Sequence, residues 1–115
     1  MPSLDRSLVL IGFMGAGKSA VSRACASVFG VEALDIDSLL EKKIKMSISD
    51  FFKAHSEEAF RDLETAVCRS LLGHTPCVIA TGGGIVLRDE NKALLSALGT
   101  VVFLDVSAET VFQRL

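Results

Sequence analysis

A three-layer α/β fold around a parallel sheet is the architecture this sequence predicts, on three observations. Apolar runs rich in branched residues, suited to strands buried on both faces, alternate with segments whose apolar residues recur at helical spacing. The first such run ends in a glycine-rich turn that opens into a helix. No repeat, low-complexity stretch or linker breaks the alternation, so residues 1–115 read as one domain, short for a complete enzyme of this layout and open to being incomplete.

The elements follow in order. Leu8 to Ile11 is the first strand and stops at Gly12. From Lys18 onward, Val21, Ala24, Cys25 and Val28 mark a helix, and Gly30 stands where its stop should fall. Val31 to Ile36 reads as a second strand, and Leu39, Leu40 and Ile44 as the apolar stripe of the helix after it. Ser47 and Asp50 resemble a capping box, and Ser56 an N-cap with Glu57 and Glu58 in the first turn of a longer helix. That helix buries Phe60, Leu63, Val67 and Leu71, and its charged face is expected to be wet, at least in part. Cys77 to Ala80 forms a third strand running into Gly82, Gly83 and Gly84. A helix then carries Leu94, Leu95 and Leu98, Val101 to Val106 is a fourth strand, and Ser107 caps a last helix.

Composition excludes several classes of function. Half of the residues are apolar and the mean hydropathy is +0.45, yet charged residues from Lys18 onward interrupt every stretch that could cross a bilayer. Asp5, Gly12, Gly15 and Gly17 spoil a secretion signal. A net charge of −2 concentrates no nucleic acid. Cys25, Cys68 and Cys77 are odd in number and lack CxxC spacing, which suits core thiols in a reducing cytoplasm.

The turn after the first strand reads GFMGAGKS, Gly12 to Ser19, the GxxxxGKS pattern of a phosphate-binding loop. Glycine at 12, 15 and 17 lets successive N–H groups point inward at phosphate oxygens, and the dipole of the following helix adds positive potential. The cradle is assigned to Gly12, Met14, Gly15, Ala16, Gly17, Lys18, Ser19 and Ala20. Lys18 supplies a mobile charge for the β- and γ-phosphates, and the Ser19 hydroxyl suits the magnesium that bridges them. A small-molecule kinase using ATP and Mg2+ is therefore expected, with Lys18 catalytic.

Three further features have a bland and a functional reading. Asp35 and Asp37 stand at the end of the second strand, where parallel sheets hold ligands. Because side chains alternate along a strand, one is expected to serve magnesium and the other a substrate hydroxyl, unless one simply caps the next helix. Arg61 has Glu57 and Glu64 one turn away, so it makes either ordinary surface ion pairs or a ligand contact. Gly82 to Gly84 is a flexible turn, or a place where a small polar ligand lies against backbone N–H groups.

GFMGAGKS, LDID at Leu34 to Asp37, SISDFF at Ser47 to Phe52, AFRDLE at Ala59 to Glu64 and ATGGG at Ala80 to Gly84, in this order and spacing, resemble the shikimate kinase family. The resemblance implies a P-loop kinase fold with strand order 2-3-1-4-5, the last strand missing here. It implies transfer of the γ-phosphoryl of ATP to the 3-hydroxyl of shikimate, a step towards chorismate and the aromatic amino acids. It assigns Asp35 with Ser19 to magnesium, Asp37 to the acceptor hydroxyls as a catalytic residue, and Arg61 to the acceptor carboxylate. A planar guanidinium can grip that group with two parallel hydrogen bonds. Phe52, Phe60, Glu64, Gly82, Gly83 and Gly84 complete the acceptor site by resemblance, and Arg114 matches an arginine that packs against adenine, unless it frays as a terminal residue. Members of the family continue past the position of Leu115 with an arginine-bearing lid and a further carboxylate-gripping arginine, so this chain is expected to bind its ligands but turn over slowly. A monomeric cytoplasmic enzyme is expected. Rival readings are a kinase for another hydroxylated acceptor, gluconate or a nucleoside monophosphate, and a non-catalytic nucleotide-binding module.

Overall fold

The computed structural model describes residues 4–12, 18–82 and 84–104, with nothing stated of the Ser19 side chain. Its centre is β1 (Ser7–Gly12), which pairs in parallel with β3 (Val78–Ala80) on one side and β4 (Gly99–Leu104) on the other. β2 (Ala33–Asp35) adds in parallel to β3, so the sheet runs β2-β3-β1-β4. This is the expected order for its first four strands. Alternation along β1 divides the core: Val9 and Ile11 face one apolar cluster, Leu8 and Leu10 the other. On the second face lies α1 (Lys18–Phe29). On the first pack α4 (Glu57–Ser70) and α5 (Asp89–Leu98), with α2 (Ile36–Ile44) and α3 (Ile48–Ala54) beside them. The result is helix, sheet and helix.

Local chemistry sets most boundaries. α1 stops at Gly30, which takes the left-handed φ of 67° and lets the N–H of Val31 reach Ala26 O at 3.0 Å. The Ser47 hydroxyl accepts from Asp50 N and opens α3, and the Ser56 hydroxyl accepts from Ala59 N and opens α4, each at 3.1 Å. β2 is shorter than the sequence suggests. Asp35 Oδ1 accepts from the amides of Asp37 at 2.9 Å and Ser38 at 3.3 Å, which starts α2 at Ile36 and buries that residue in the core rather than in a strand. β3 likewise starts at Val78, one residue late, because the Cys77 N–H is bonded to the Ser7 hydroxyl. The charged face of α4 is wet only in part: Glu64, which the resemblance places at the acceptor site, is only 1 % exposed. A 3₁₀ turn, Ile85–Leu87, precedes α5 and was not foreseen. The expected end of the fourth strand at Val106, the Ser107 cap and the last helix lie outside the described residues.

Candidate active site

The carboxyl ends of the parallel strands converge on one edge, where Gly12, Asp35 and Thr81 end or follow β1, β2 and β3. Gly12 is required there. Its φ is 153°, and a Cβ would press on the carbonyl of Leu104 in the neighbouring strand, so the chain can leave the sheet at this point only as glycine. Lys18 begins α1 and donates from Nζ to Gly12 O at 2.7 Å, which folds its charge back to the end of β1. Burial pushes the Lys18 ammonium down from its ordinary value, and the negative charges of Asp37 and Asp35 work against that shift. Ala20 is exposed in the first turn of α1. Met14, Gly15, Ala16 and Gly17, the Ser19 side chain, Gly83 and Arg114 lie outside the described residues.

The two aspartates are separated by a helix start, not by strand alternation; residues two apart would in any case share a strand face. Asp35 is the N-cap of α2, so the capping role weighed for one of the pair falls to it. Asp37 lies in the first turn of α2 and faces a cleft of about 160 Å³. Burial raises the Asp37 carboxyl above the ordinary range, repulsion from Asp35 and Glu41 adds to this, and Lys18 and Arg61 pull the other way.

Arg61 forms the opposite wall. Its Nη1 donates to Glu64 Oε1 at 2.6 Å and its Nη2 more weakly to Glu57 Oε1 at 3.4 Å, while the buried Nε has no hydrogen-bond partner among the described residues. Both ion pairs considered for Arg61 thus form, and one of them is buried. Burial raises the Glu64 carboxyl, against the pull of Arg61. The guanidinium, whose burial alone would lower it, is held up by Glu64 and Glu57 and stays charged. The glycines after β3 have a steric reason. A Cβ on Gly82 would sit 2.9 Å from Asp37 Oδ1, and one on Gly84 would stand 2.8 Å from Arg61 Cζ, so side chains at either position would collide with the polar groups that face the cleft.

Asp37, Phe52, Phe60, Arg61, Glu64, Gly82 and Gly84 all line this cleft, so seven acceptor-site expectations meet in one place. Phe52 and Phe60 pack with ring centroids 4.7 Å apart, and Arg61 lies 5.3 Å over the Phe60 ring. The cleft has one lining residue the sequence reading missed, Ile48. Its signal was available, since Ile48 stands four residues before Phe52 and shares its face of α3.

A family model described as shikimate kinase matches residues 14–115 of this chain. The chain belongs to the shikimate kinase family. A shikimate kinase of Geobacter sulfurreducens is 43 % identical over 115 residues, all of this chain and 64 % of that protein. One of Enterococcus faecalis is 41 % identical over 109 residues, again 64 % of its length. This chain therefore spans slightly less than two thirds of the length of these relatives. Among solved structures, a shikimate kinase from Acinetobacter baumannii in complex with shikimate superposes with a TM-score of 0.85 at 38 % identity, over 95 % of this chain and 61 % of that one. A gluconokinase from Sinorhizobium meliloti, at 18 % identity and a TM-score of 0.58 over 98 % of this chain and 65 % of that one, shares the fold alone.

Proposed function

We propose that this chain is the nucleotide- and acceptor-binding part of a shikimate kinase, which transfers the γ-phosphoryl of ATP to the 3-hydroxyl of shikimate. The observation that carries the reading is the convergence of an elevated carboxyl, Asp37, and a guanidinium, that of Arg61, whose buried Nε–H has no partner among the described residues, in a cleft beside Lys18. A hydroxylated carboxylic acid answers both groups. The Acinetobacter relative with shikimate bound supports that choice over other acids.

In this mechanism Arg61 presents Nε–H and Nη2–H to the acceptor carboxylate, and Glu64 holds the guanidinium from its other side. Phe52, Phe60 and Ile48 exclude water from the apolar side of the ring. Asp37 orients the acceptor hydroxyl and takes its proton as the oxygen bonds to the γ-phosphorus and the bond to ADP breaks. A carboxyl raised above its ordinary value accepts that proton more readily. Lys18 swings from Gly12 O to the phosphates and neutralises charge on the migrating group. Gly12, Met14, Gly15, Ala16, Gly17, Ala20 and Arg114 serve the nucleotide in the same proposal. The half-buried carboxylate of Asp35 offers the hard oxygen chemistry that Mg2+ prefers, and Mg2+ needs few protein ligands. Asp35 with Ser19 would hold it, and the ion would supply charge neutralisation for the phosphates. We infer further that the enzyme acts in the cytoplasm as a monomer on small molecules only; no helix among the described residues is long and apolar enough to cross a membrane.

Ligand-dependent thermal stabilisation tests the reading. Mg·ADP and shikimate are each expected to raise the melting temperature. Stabilisation by nucleotide alone, or by gluconate in place of shikimate, would refute it.

A further inference from the structure

Behind the cleft wall, away from every ligand group assigned above, two polar side chains are buried together. Asn91 of α5 is fully inaccessible and Thr65 of α4 is 5 % exposed. Ile85 O can only accept, so the Asn91 Nδ2 donates to it at 2.9 Å and the Oδ1 takes the Thr65 hydroxyl proton at 2.6 Å. Thr65 lies one turn beyond Arg61, and its oxygen is also 3.0 Å from Arg61 O. Ile85 directly follows Gly84, whose backbone abuts the Arg61 guanidinium. The pair thus ties the glycine turn to the α4 segment that carries Arg61, through the core. Arg88 makes a second tie, to Asp62 Oδ1 at 2.8 Å, but that pair is exposed and constrains little. An apolar pair would fill the same space without burying an amide and a hydroxyl, so these groups are better explained by the geometry they impose than by stability.

We propose that Asn91 and Thr65 are positioning residues that set the distance between the glycine turn and Arg61, and with it the affinity for a carboxylate-bearing acceptor. The inference rests on the acceptor reading above. The tests are Asn91→Leu, which removes both bonds while keeping the number and branching of side-chain heavy atoms, Thr65→Val, which deletes the hydroxyl, and Thr65→Ser, which keeps it. Affinities for shikimate and for Mg·ADP are measured by calorimetry below each variant's melting temperature, and the Arg61 Nε–H resonance is followed by NMR. Asn91→Leu and Thr65→Val are expected to bind shikimate about tenfold more weakly while Mg·ADP affinity stays within about twofold, because loss of a bridging hydrogen bond and a displaced guanidinium act on one ligand only. The Arg61 signal should move in these two variants, and Thr65→Ser should behave as the parent. If Asn91→Leu does not fold, Thr65→Val against Thr65→Ser decides. Shikimate affinity unchanged in Thr65→Val, or both ligands weakened alike, overturns the inference alone. A parent chain that ignores shikimate overturns the acceptor reading and this inference with it.

Discussion

Replacing Gly84 with alanine separates the effect of a side chain on the cleft from its effect on the fold. Gly84 has φ −98° and ψ 3°, a conformation open to alanine, so no backbone strain arises. Restricting the unfolded chain would even stabilise the protein by about 0.4–1 kcal/mol. The new Cβ, however, would press hardest on Arg61 Nη2 and stand 2.8 Å from its Cζ and Nη1, where an unstrained contact needs about 3.5–4.0 Å. The guanidinium must retreat by roughly 1 Å. As the end of a flexible side chain it can do so, but its Nη1 is bonded to the buried Glu64 at 2.6 Å, and a retreat of that size away from Glu64 takes the bond past hydrogen-bond range. Weakening a hydrogen bond between charged groups costs about 1.5–3 kcal/mol, so after the chain-entropy gain the net destabilisation is about 1–2 kcal/mol. Misplacing a binding group by this distance should weaken shikimate by about 10- to 100-fold, with Mg·ADP unaffected. Urea unfolding and calorimetric titration with each ligand measure both quantities. Parental shikimate affinity in Gly84→Ala, or an equal loss of nucleotide affinity, would refute the reasoning.

Asp37→Asn should be more stable than the parent at pH 7, because a carboxyl raised by burial binds its proton more tightly in the folded state, and its contribution falls as pH rises above its ordinary 3.8. Melting curves of the two proteins should converge as pH falls through that range, and the variant should lose phosphoryl transfer. Arg61→Ala strands Glu64 in the core, which costs about 3–5 kcal/mol at neutral pH. The loss should shrink in acid as Glu64, already raised by burial, takes up a proton; urea titrations at two pH values check this, and titration calorimetry should find shikimate weakened and nucleotide nearly unchanged. Lys18→Ala gives up the hydrogen bond of a charged group to Gly12 O, worth about 1.5–3 kcal/mol, and should abolish stabilisation by Mg·ADP while leaving that by shikimate, as a thermal-shift assay would show.

Features carried by neighbours within four residues were legible in the chain. The caps at Ser47 and Ser56, the helix stop at Gly30 and the exit from β1 at Gly12 all follow from local hydrogen bonds and φ preferences; the alternation of apolar runs with helical stripes gave the layered fold, and the strand order came only from the family resemblance. Where a side chain chose between two local partners, the reading failed or stayed open: Asp35 turned out to cap α2 and cut β2 short.

By itself, then, the sequence determined the layered fold and the phosphate-loop motif, because motif spacing and helix period are one-dimensional signals, and through the resemblance to a family it pointed to most of the residues that gather at the cleft. Only tertiary packing decided that Glu64 is buried on a face that looks wet, that Ile48 joins Phe52 in the wall, and that Asn91 bridges a turn to α4. The physical reason is that burial and long-range hydrogen bonds depend on which elements face each other. A charged residue on a helix carries no mark of whether water or an arginine and a glycine turn will stand opposite it.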